Sequence, residues 1–228
     1  MRSRSRRWSA VADLATKRAQ LERVRLYLIT DARPVVQPIE AFLEAAIAGG
    51  VGMVQLRDRE LDDAELLRIA IRGARTCAAL GVPFIINDRA DIALLASADG
   101  VHLGQDDLTP SQARRIIGGD AIVGLSTHSA EQIQAAEAEP VDYIGVGPVH
   151  ATPTKPGRAG VGAELVRYAA KHCSRPFFAI GGLDPENVGT VVAAGGRSVS
   201  VLRWVSLARD PKAAAREMVD ALSSGAGD

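Results

Sequence analysis

The sequence predicts a single α/β domain, a closed (β/α)8 TIM barrel with a short N-terminal lead-in helix. Eight short apolar segments alternate with helical segments along the 228 residues, which is the pattern of repeated βα units. Apolar residues run through most of these segments, as they do in parallel strands that are covered on both faces. Eight units favour a closed barrel over an open doubly wound sheet, and no Gly/Ser-rich linker divides the array.

Helices in the first half are identified by apolar spacing and by the glycines that end them. Phe42, Leu43 and Ala46 recur at helical spacing, and Gly49 follows them as a C-terminal cap. The longest helix of this half begins at an aspartate, at position 62 or 63, and stops before Gly81. In chain order we expect a lead-in helix at 13–23, strand 24–30, helix 39–48, strand 53–56, helix 62–80, strand 84–86, one or two helical turns within 89–96, and strand 100–103.

Proline marks three helix starts in the second half, because its fixed φ and missing N–H suit the first helical position. Thr109 precedes Pro110, and aspartates precede Pro185 and Pro211 as N-caps. A long loop rich in Gly, Pro and Thr is predicted to be a mobile lid, with a merely flexible surface loop as the alternative. In chain order we expect helix 110–117, strand 121–126, helix 129–138, strand 141–146, the loop at 150–160, helix 163–171, strand 177–180, a helix from 184, strand 198–202 and helix 211–222.

The charge balance gives no reason to expect a polyanionic partner. The chain has 27 basic and 27 acidic residues and no run of eighteen apolar residues, so we expect neither nucleic-acid binding nor a membrane span. The arginine-rich start is interpreted as a flexible leader rather than as a nucleic-acid arm. We therefore expect a cytoplasmic protein made of a basic leader with the lead-in helix (1–23), the catalytic barrel (24–222) and a disordered tail (223–228), with a homo-oligomer left open.

Two cysteines occur in the chain, and neither is expected to take part in the chemistry. Cys77 and Cys173 lie nearly a hundred residues apart, which matches neither a metal-binding spacing nor a disulfide framework. We predict two free thiols.

Two aspartates follow neighbouring predicted strands. Asp88 comes after strand 84–86, and Asp107 comes after strand 100–103. A crossover joins these strands, so they are parallel and both carboxylates face the carboxyl-end rim, where ligands bind in this fold. An aspartate in such a place is also a common helix cap. The polar residues around both aspartates exceed what a cap needs, and we predict that the pair binds a hard divalent cation such as Mg²⁺.

Cations and hydrogen-bonding groups are predicted at the same rim. Arg57 and Arg59 follow the second strand, and Lys155 lies in the long loop. Arginine forks and a lysine charge would hold phosphate oxygens beside the metal, with surface ion pairs to the aspartates as the alternative. Other polar residues predicted at this rim are Gln55, Asn87, Gln105, Ser126, Thr152, Thr154 and Arg203.

A second anion site is predicted at Gly181 and Gly182. Glycines allow backbone N–H groups to approach a ligand closely, and the helix expected from 184 would direct its positive end at the same point. A plain Gly-Gly turn is the alternative. His102 lies within a strand and is interpreted as a core or supporting residue, whereas His128 and His150 lie on loops and receive no role.

Six motifs make the chain resemble the thiamine phosphate synthase family over residues 26–221. They are QLRDR at 55–59, INDR at 86–89, GVHLGQDD at 100–107, GLS at 124–126, GVGP at 145–148 followed by TPTK at 152–155, and IGG at 180–182. The resemblance implies a transferase of thiamine biosynthesis. It would condense 4-amino-2-methyl-5-hydroxymethylpyrimidine diphosphate with 4-methyl-5-(2-phosphoethyl)thiazole to give thiamine phosphate and pyrophosphate, with Mg²⁺ as the cofactor.

The same resemblance implies a role for each matching residue. Asp88 and Asp107 would bind Mg²⁺, and Ser126 and Lys155 would be the catalytic residues. The chain departs from residues common in the family at Arg59, His150 and Arg203, where lysine, an aromatic residue and serine are usual. The pyrimidine diphosphate would be held by Gln55, Leu56, Arg57, Asp58, Arg59, Asn87, Ser126 and Lys155, and the thiazole phosphate by Thr152, Pro153, Thr154, Gly182, Leu202 and Arg203.

The resemblance also implies an order of events. Pyrophosphate leaves first, and the thiazole nitrogen then attacks the resulting pyrimidine carbocation. No base is required because that nitrogen has no proton to lose, so the protein supplies positioning and charge stabilisation. Ser126 has no evident His–Asp relay in the sequence and is expected to donate a hydrogen bond to the leaving group. The alternatives are a thiazole tautomerase of the same fold, which needs neither the diphosphate grip nor the metal, and a non-catalytic binder of thiamine intermediates.

Overall fold

Eight parallel strands close into a barrel in the computed structural model of the chain, which describes residues 14–32, 38–151 and 160–224. Each strand pairs with its neighbours in sequence, and the barrel closes where Leu28 pairs with Val201. The predicted (β/α)8 fold is therefore confirmed. The strands are β1 Leu26–Thr30, β2 Met53–Leu56, β3 Phe84–Asn87, β4 Gly100–Leu103, β5 Ile122–Thr127, β6 Tyr143–Val146, β7 Phe177–Ile180 and β8 Val199–Val201.

Helices follow the strands in alternation, and three begin at the caps that the sequence indicates. Asp62 caps α3, Ser129 caps α6, and Thr109 forms a capping box with Gln112 at α5. Within the described part of the chain, no helix has both the length and the apolar character needed to cross a membrane. The helices are α1 Leu14–Leu21, α2 Ile39–Ala48, α3 Asp63–Ala79, α4 Ala90–Leu95, α5 Pro110–Ile117, α6 Ala130–Glu137, α7 Gly162–His172, α8 Gly189–Ala193, α9 Arg203–Ser206 and α10 Pro211–Ser224.

The structure differs from the predicted elements after β7 and β8. A turn over 185–188 replaces the start of the expected helix, and α8 begins only at Gly189. Asp184 still acts as a cap, because its carboxylate accepts hydrogen bonds from the backbone N–H groups of Glu186 and Asn187, both at 3.0 Å. Strand β8 is shorter than predicted, and α9 begins at Arg203. Residues 1–13 of the predicted leader, 152–159 of the predicted lid and 225–228 of the predicted tail lie outside the described residues.

Helix α1 covers the end of the barrel where the strands begin. Lys17 pairs with Asp99 at 3.3 Å, and Arg18 pairs with Asp142 at 2.7 Å. Both aspartates immediately precede strands, β4 and β6, which places α1 at the N-terminal end. The apolar interior beside it consists of Leu21, Val24, Tyr27, Met53, Ile85, Ile122, Tyr143 and Phe178. The opposite end of the barrel, at the carboxyl ends of the strands, carries the candidate site.

Candidate active site

A cavity of about 340 Å³ lies at the carboxyl ends of the strands. It is lined by residues from all eight strands and by the segments that follow β6, β7 and β8. The barrel therefore brings together rim residues that are far apart in sequence. Those lining the cavity are Gln55, Arg57, Asn87, Ser126, Gly181, Gly182, Leu202 and Arg203, together with His102 and His128.

Two predicted substrate-binding residues of the QLRDR motif, Leu56 and Asp58, make contacts within the protein and are absent from the cavity lining, and their substrate contacts stay a prediction. Leu56 is only 1% exposed and packs in the core between the strands and the helices. The Asp58 carboxylate accepts hydrogen bonds from the backbone N–H groups at positions 32, 60 and 61, at 2.9 to 3.2 Å, and so fixes the loops beside the rim. The predicted loop residues Thr152, Pro153, Thr154 and Lys155 lie outside the described residues.

Asp88 and Asp107 form a carboxylate pair at the rim. Asp88 has a left-handed backbone (φ 61°), and its Oδ2 lies 3.2 Å from Arg59 Nη2. Asp107 Oδ2 accepts a hydrogen bond from the Gly104 N–H at 2.7 Å. The pKa of the Asp88 carboxyl is raised, first by burial and then by the neighbouring carboxylate of Asp107. The two acids that follow β3 and β4 thus interact with each other, as the strand directions predict.

This donor set suits a hard cation such as Mg²⁺. Two adjacent carboxylates repel each other when both are ionised, and a divalent cation bound to both would remove that repulsion. Mg²⁺ is commonly held by one or two carboxylates, while water and substrate phosphate oxygens complete its shell. Among the described residues, no group of three or more His, Cys, Asp or Glu side chains is arranged to hold a metal. Asp88 and Asp107 are therefore suited, as a carboxylate pair, to share such a cation with a phosphorylated ligand.

Arg57 places a positive charge in the cavity lining. Its guanidinium is partly buried, and its pKa is lowered first by burial and then by the nearby charge of Arg59. Arginine nevertheless remains protonated at neutral pH, because its ordinary pKa lies above 12. A cation that is partly removed from water interacts more strongly with an anion than an exposed one does. Arg57 is therefore a suitable partner for a phosphate group in the cavity.

The turn made by Gly181 and Gly182 passes close to the segment that follows β6. Their φ angles are 111° and 61°, in the region that favours glycine. Asn187 stabilises this turn, because its Nδ2 donates to the Gly182 carbonyl oxygen at 2.8 Å. The positive end of the helix predicted from 184 is not at this turn, since α8 starts at Gly189. An anion bound there would therefore contact the backbone N–H groups of the turn and neighbouring side chains such as Arg203, without help from the start of α8.

Replacing Gly181 by alanine is expected to destabilise the protein. A Cβ atom at this position would lie 2.5 Å from the Pro148 Cα, and the backbone would be strained, so we expect a loss of about 3 kcal/mol in the free energy of unfolding. Denaturant unfolding would measure the loss. Gly189→Ala is the matched control, because a Cβ there meets nothing within 4 Å. Equal unfolding midpoints for the two variants would contradict the close approach.

Ser126 is the end of a chain of hydrogen bonds that the sequence did not reveal. His102 Nε2 lies 2.9 Å from Ser126 Oγ, and His102 Nδ1 lies 3.0 Å from the Tyr143 hydroxyl. The Tyr143 hydroxyl lies 2.8 Å from that of Tyr27, which accepts a hydrogen bond from Gln55 Nε2 at 2.5 Å. We call these five side chains the interior chain. Ser126 therefore has a histidine partner, although tyrosine takes the place of the aspartate of a His–Asp relay.

The strand register that the structure shows explains why His102 and Ser126 meet. His102 pairs with Gly124 across β4 and β5, so Ser126, two residues later, lies on the same face as that glycine. Gly124 is itself required for Tyr143, because a Cβ there would lie 2.2 Å from the tyrosine ring. Polar residues at alternate positions of apolar strands indicate a polar barrel interior. His102 is largely buried and hydrogen-bonded to Ser126, so its supporting role stays a prediction that fits this position.

Comparison with known proteins identifies the family. The family model described as thiamine monophosphate synthase matches residues 26–205. The chain belongs to the thiamine monophosphate synthase family. The thiamine-phosphate synthase of Acidothermus cellulolyticus is 47% identical over 211 residues, which are 92% of this chain and 100% of that relative. That of Thermosynechococcus vestitus is 46% identical over 212 residues, 93% of this chain but 60% of that longer relative.

A solved structure of the same family agrees with the fold. Thiamine phosphate pyrophosphorylase from Pyrococcus furiosus superposes with a TM-score of 0.81 at 29% identity, over 92% of this chain and 100% of that chain. The family membership confirms the resemblance found in the motifs. It also confirms the predicted class of enzyme, a transferase that forms thiamine phosphate.

Proposed function

We propose that this chain joins the pyrimidine diphosphate to the thiazole phosphate with release of pyrophosphate. The bond between the pyrimidine methylene carbon and the diphosphate oxygen breaks, and its electron pair leaves with the diphosphate. The thiazole nitrogen then donates its lone pair to the methylene carbon and forms the new C–N bond. No proton is lost from the nitrogen, so the reaction requires no general base.

The arrangement of charge around the cavity supports this proposal most directly. A carboxylate pair, Asp88 and Asp107, lies at the rim beside two cations, Arg59 and Arg57, and Arg57 also lines the cavity. A carboxylate pair alone would repel a diphosphate, whereas carboxylates with a hard cation and arginines would bind it. A tautomerase would need neither the carboxylate pair nor the arginines.

The roles proposed for individual residues rest on the side chains described at the rim and, for Lys155, on its motif alone. Asp88 and Asp107 would hold Mg²⁺, which supplies charge neutralisation for the departing diphosphate when it is bound. Arg57 and Lys155 would bind the diphosphate oxygens, and Ser126 would donate a hydrogen bond to the same leaving group. The thiazole phosphate would lie at the other side of the cavity, with Gly182, Leu202 and Arg203. We also propose that the reaction takes place in the cytoplasm as part of thiamine biosynthesis.

The direct test is to mix the purified full-length chain with both substrates, with Mg²⁺ or with EDTA, and to measure thiamine phosphate and pyrophosphate together. We expect both products in equal amounts with Mg²⁺ and neither with EDTA. Equal product formation under both conditions would contradict the metal assignment. No product under either condition would contradict the proposed reaction and favour the tautomerase or the non-catalytic binder.

A further inference from the structure

The interior chain has a direction, because each of its members has a limited number of hydrogens to donate. Burial raises the pKa values of the Tyr27 and Tyr143 phenols well above the ordinary value for tyrosine, so each hydroxyl keeps its one hydrogen. Gln55 donates to Tyr27 through its amide nitrogen. Among the described contacts the Tyr27 hydrogen has no acceptor other than Tyr143, so the arrangement that satisfies every donor has Tyr27 donating to Tyr143 and Tyr143 donating to His102 Nδ1.

This sequence of donors determines which ring nitrogen of His102 carries the proton. Nδ1 accepts from Tyr143, so in the neutral imidazole the hydrogen lies on Nε2 and is donated to Ser126 Oγ. Ser126 Oγ is already an acceptor on this side. Its own hydrogen is left to be donated elsewhere, and Ser126 lines the cavity. The backbone of Ser126 is fixed independently, because Gln105 Nε2 donates to its carbonyl oxygen at 2.6 Å.

The opposite orientation of the Gln55 amide would reverse every bond. Its carbonyl oxygen would accept from Tyr27, His102 would carry its proton on Nδ1, and Nε2 would accept the hydrogen of Ser126. That direction makes His102 a base for a serine nucleophile, as in serine hydrolases. The other direction makes Ser126 a hydrogen-bond donor to a bound anion. The two directions therefore correspond to two different kinds of chemistry.

We propose that the amide of Gln55, acting through Tyr27, Tyr143 and His102, holds Ser126 as a hydrogen-bond donor to the leaving diphosphate. This inference rests on the proposed function. Tyr27, Tyr143 and His102 are positioning residues, because they act on the reaction through Ser126. Gln55 thus has a role that its contact with the cavity does not require, since its amide determines the direction of the whole interior chain.

Nuclear magnetic resonance of the histidine rings tests the direction without any turnover. Long-range ¹H–¹⁵N spectra of the full-length chain distinguish a proton on Nε2 from one on Nδ1, and comparison with His102→Gln assigns the signal among the four histidines. We expect the Nε2–H form. Tyr143→Phe removes the donor to Nδ1 and is expected to give a mixture of both forms. An Nδ1–H or doubly protonated ring in the wild type, or an unchanged signal in Tyr143→Phe, would overturn the proposal.

Kinetics test whether the interior chain acts through Ser126. Tyr27→Phe keeps the ring but removes the hydroxyl, and we expect kcat to fall about tenfold with little change in KM for either substrate. In a Ser126→Ala background, the same change is expected to have no further effect on kcat. An equal fall in both backgrounds, or no fall in the wild-type background, would show that Tyr27 has only a packing role and would overturn the proposal.

Tyr168 provides the matched control. It is the third tyrosine of the protein, and its ring contacts His172 on α7, so it is not a member of the interior chain. Tyr168→Phe is expected to leave both kcat and the His102 signal unchanged. A change in either value would overturn the assignment of the effect to the interior chain. Failure of the proposed function would appear separately, as absence of product from the wild type, whereas the histidine signal is measured without substrates.

Discussion

Asp107→Ala is expected to lower Mg²⁺-dependent turnover by about 10³-fold, because a bound metal contributes several kcal/mol of charge stabilisation and each 1.4 kcal/mol is a factor of ten. Asp88→Ala is expected to have the same effect. Neither change touches the turn at Gly182 or Arg203, so binding of the thiazole phosphate should remain close to that of the wild type. Product formation over a range of Mg²⁺ concentrations and calorimetric titration with the thiazole phosphate would measure the two effects.

Two further variants separate the metal from other causes. Asp106→Ala removes a neighbouring exposed carboxylate from the same turn and is expected to leave turnover unchanged. Asp88→Asn keeps the shape and tolerates the left-handed backbone at this position, so it removes charge without added strain. If Asp88→Asn and Asp107→Ala both kept wild-type turnover, the metal assignment would be wrong.

Arg57→Ala is expected to lower kcat/KM for the pyrimidine diphosphate by about 10² to 10³-fold. Loss of one preorganised hydrogen-bond donor to an anion that develops in the transition state has an effect of this size. The guanidinium is partly buried in the cavity lining, so water replaces it poorly. Arg57→Lys keeps the charge but not the fork, and its turnover should lie between those of the wild type and Arg57→Ala. Steady-state kinetics with each substrate varied in turn would measure these effects.

Arg89→Ala is the matched control for Arg57→Ala. Arg89 directly follows Asp88 in the sequence, but its guanidinium pairs with Asp63 and Asp91 and is absent from the cavity lining. We expect kcat/KM of Arg89→Ala to stay near that of the wild type. Similar losses in both variants would show that Arg57 acts through general rim electrostatics and not by direct contact with the diphosphate.

The rim of the site was predictable from the sequence because a parallel barrel brings every strand end to one face. Asp88 and Asp107 were expected to meet for that reason, and they do. The prediction of a helix from 184 was wrong because side-chain hydrogen bonds of Asn187 compete with the helix at this point. Asn187 Oδ1 accepts from the Asp184 N–H, and Asn187 Nδ2 donates to the Gly182 carbonyl oxygen, which favours a turn at this point.

The interior chain was beyond the reach of local patterns. In the sequence, Tyr27 and Tyr143 resemble ordinary apolar residues of buried strands. Their hydroxyl groups nevertheless form a hydrogen bond across 116 residues of sequence. Strands β1 and β6 are not neighbours, so this contact depends on closure of the whole barrel. Which polar groups face one another inside a barrel is a property of its closure, and a sequence read one element at a time does not contain it.

Helix α1 has a consequence for how molecules move to and from the cavity. With Leu21 buried among the interior side chains, the barrel is filled at its N-terminal end, and the cavity is reached from the carboxyl-end mouth. In a site that opens only at one end, the substrate that lies deeper must bind first. A product in the deeper part cannot leave until the molecule at the opening has left. Substitutions of residues at the opening would then slow product release as readily as they slow bond formation.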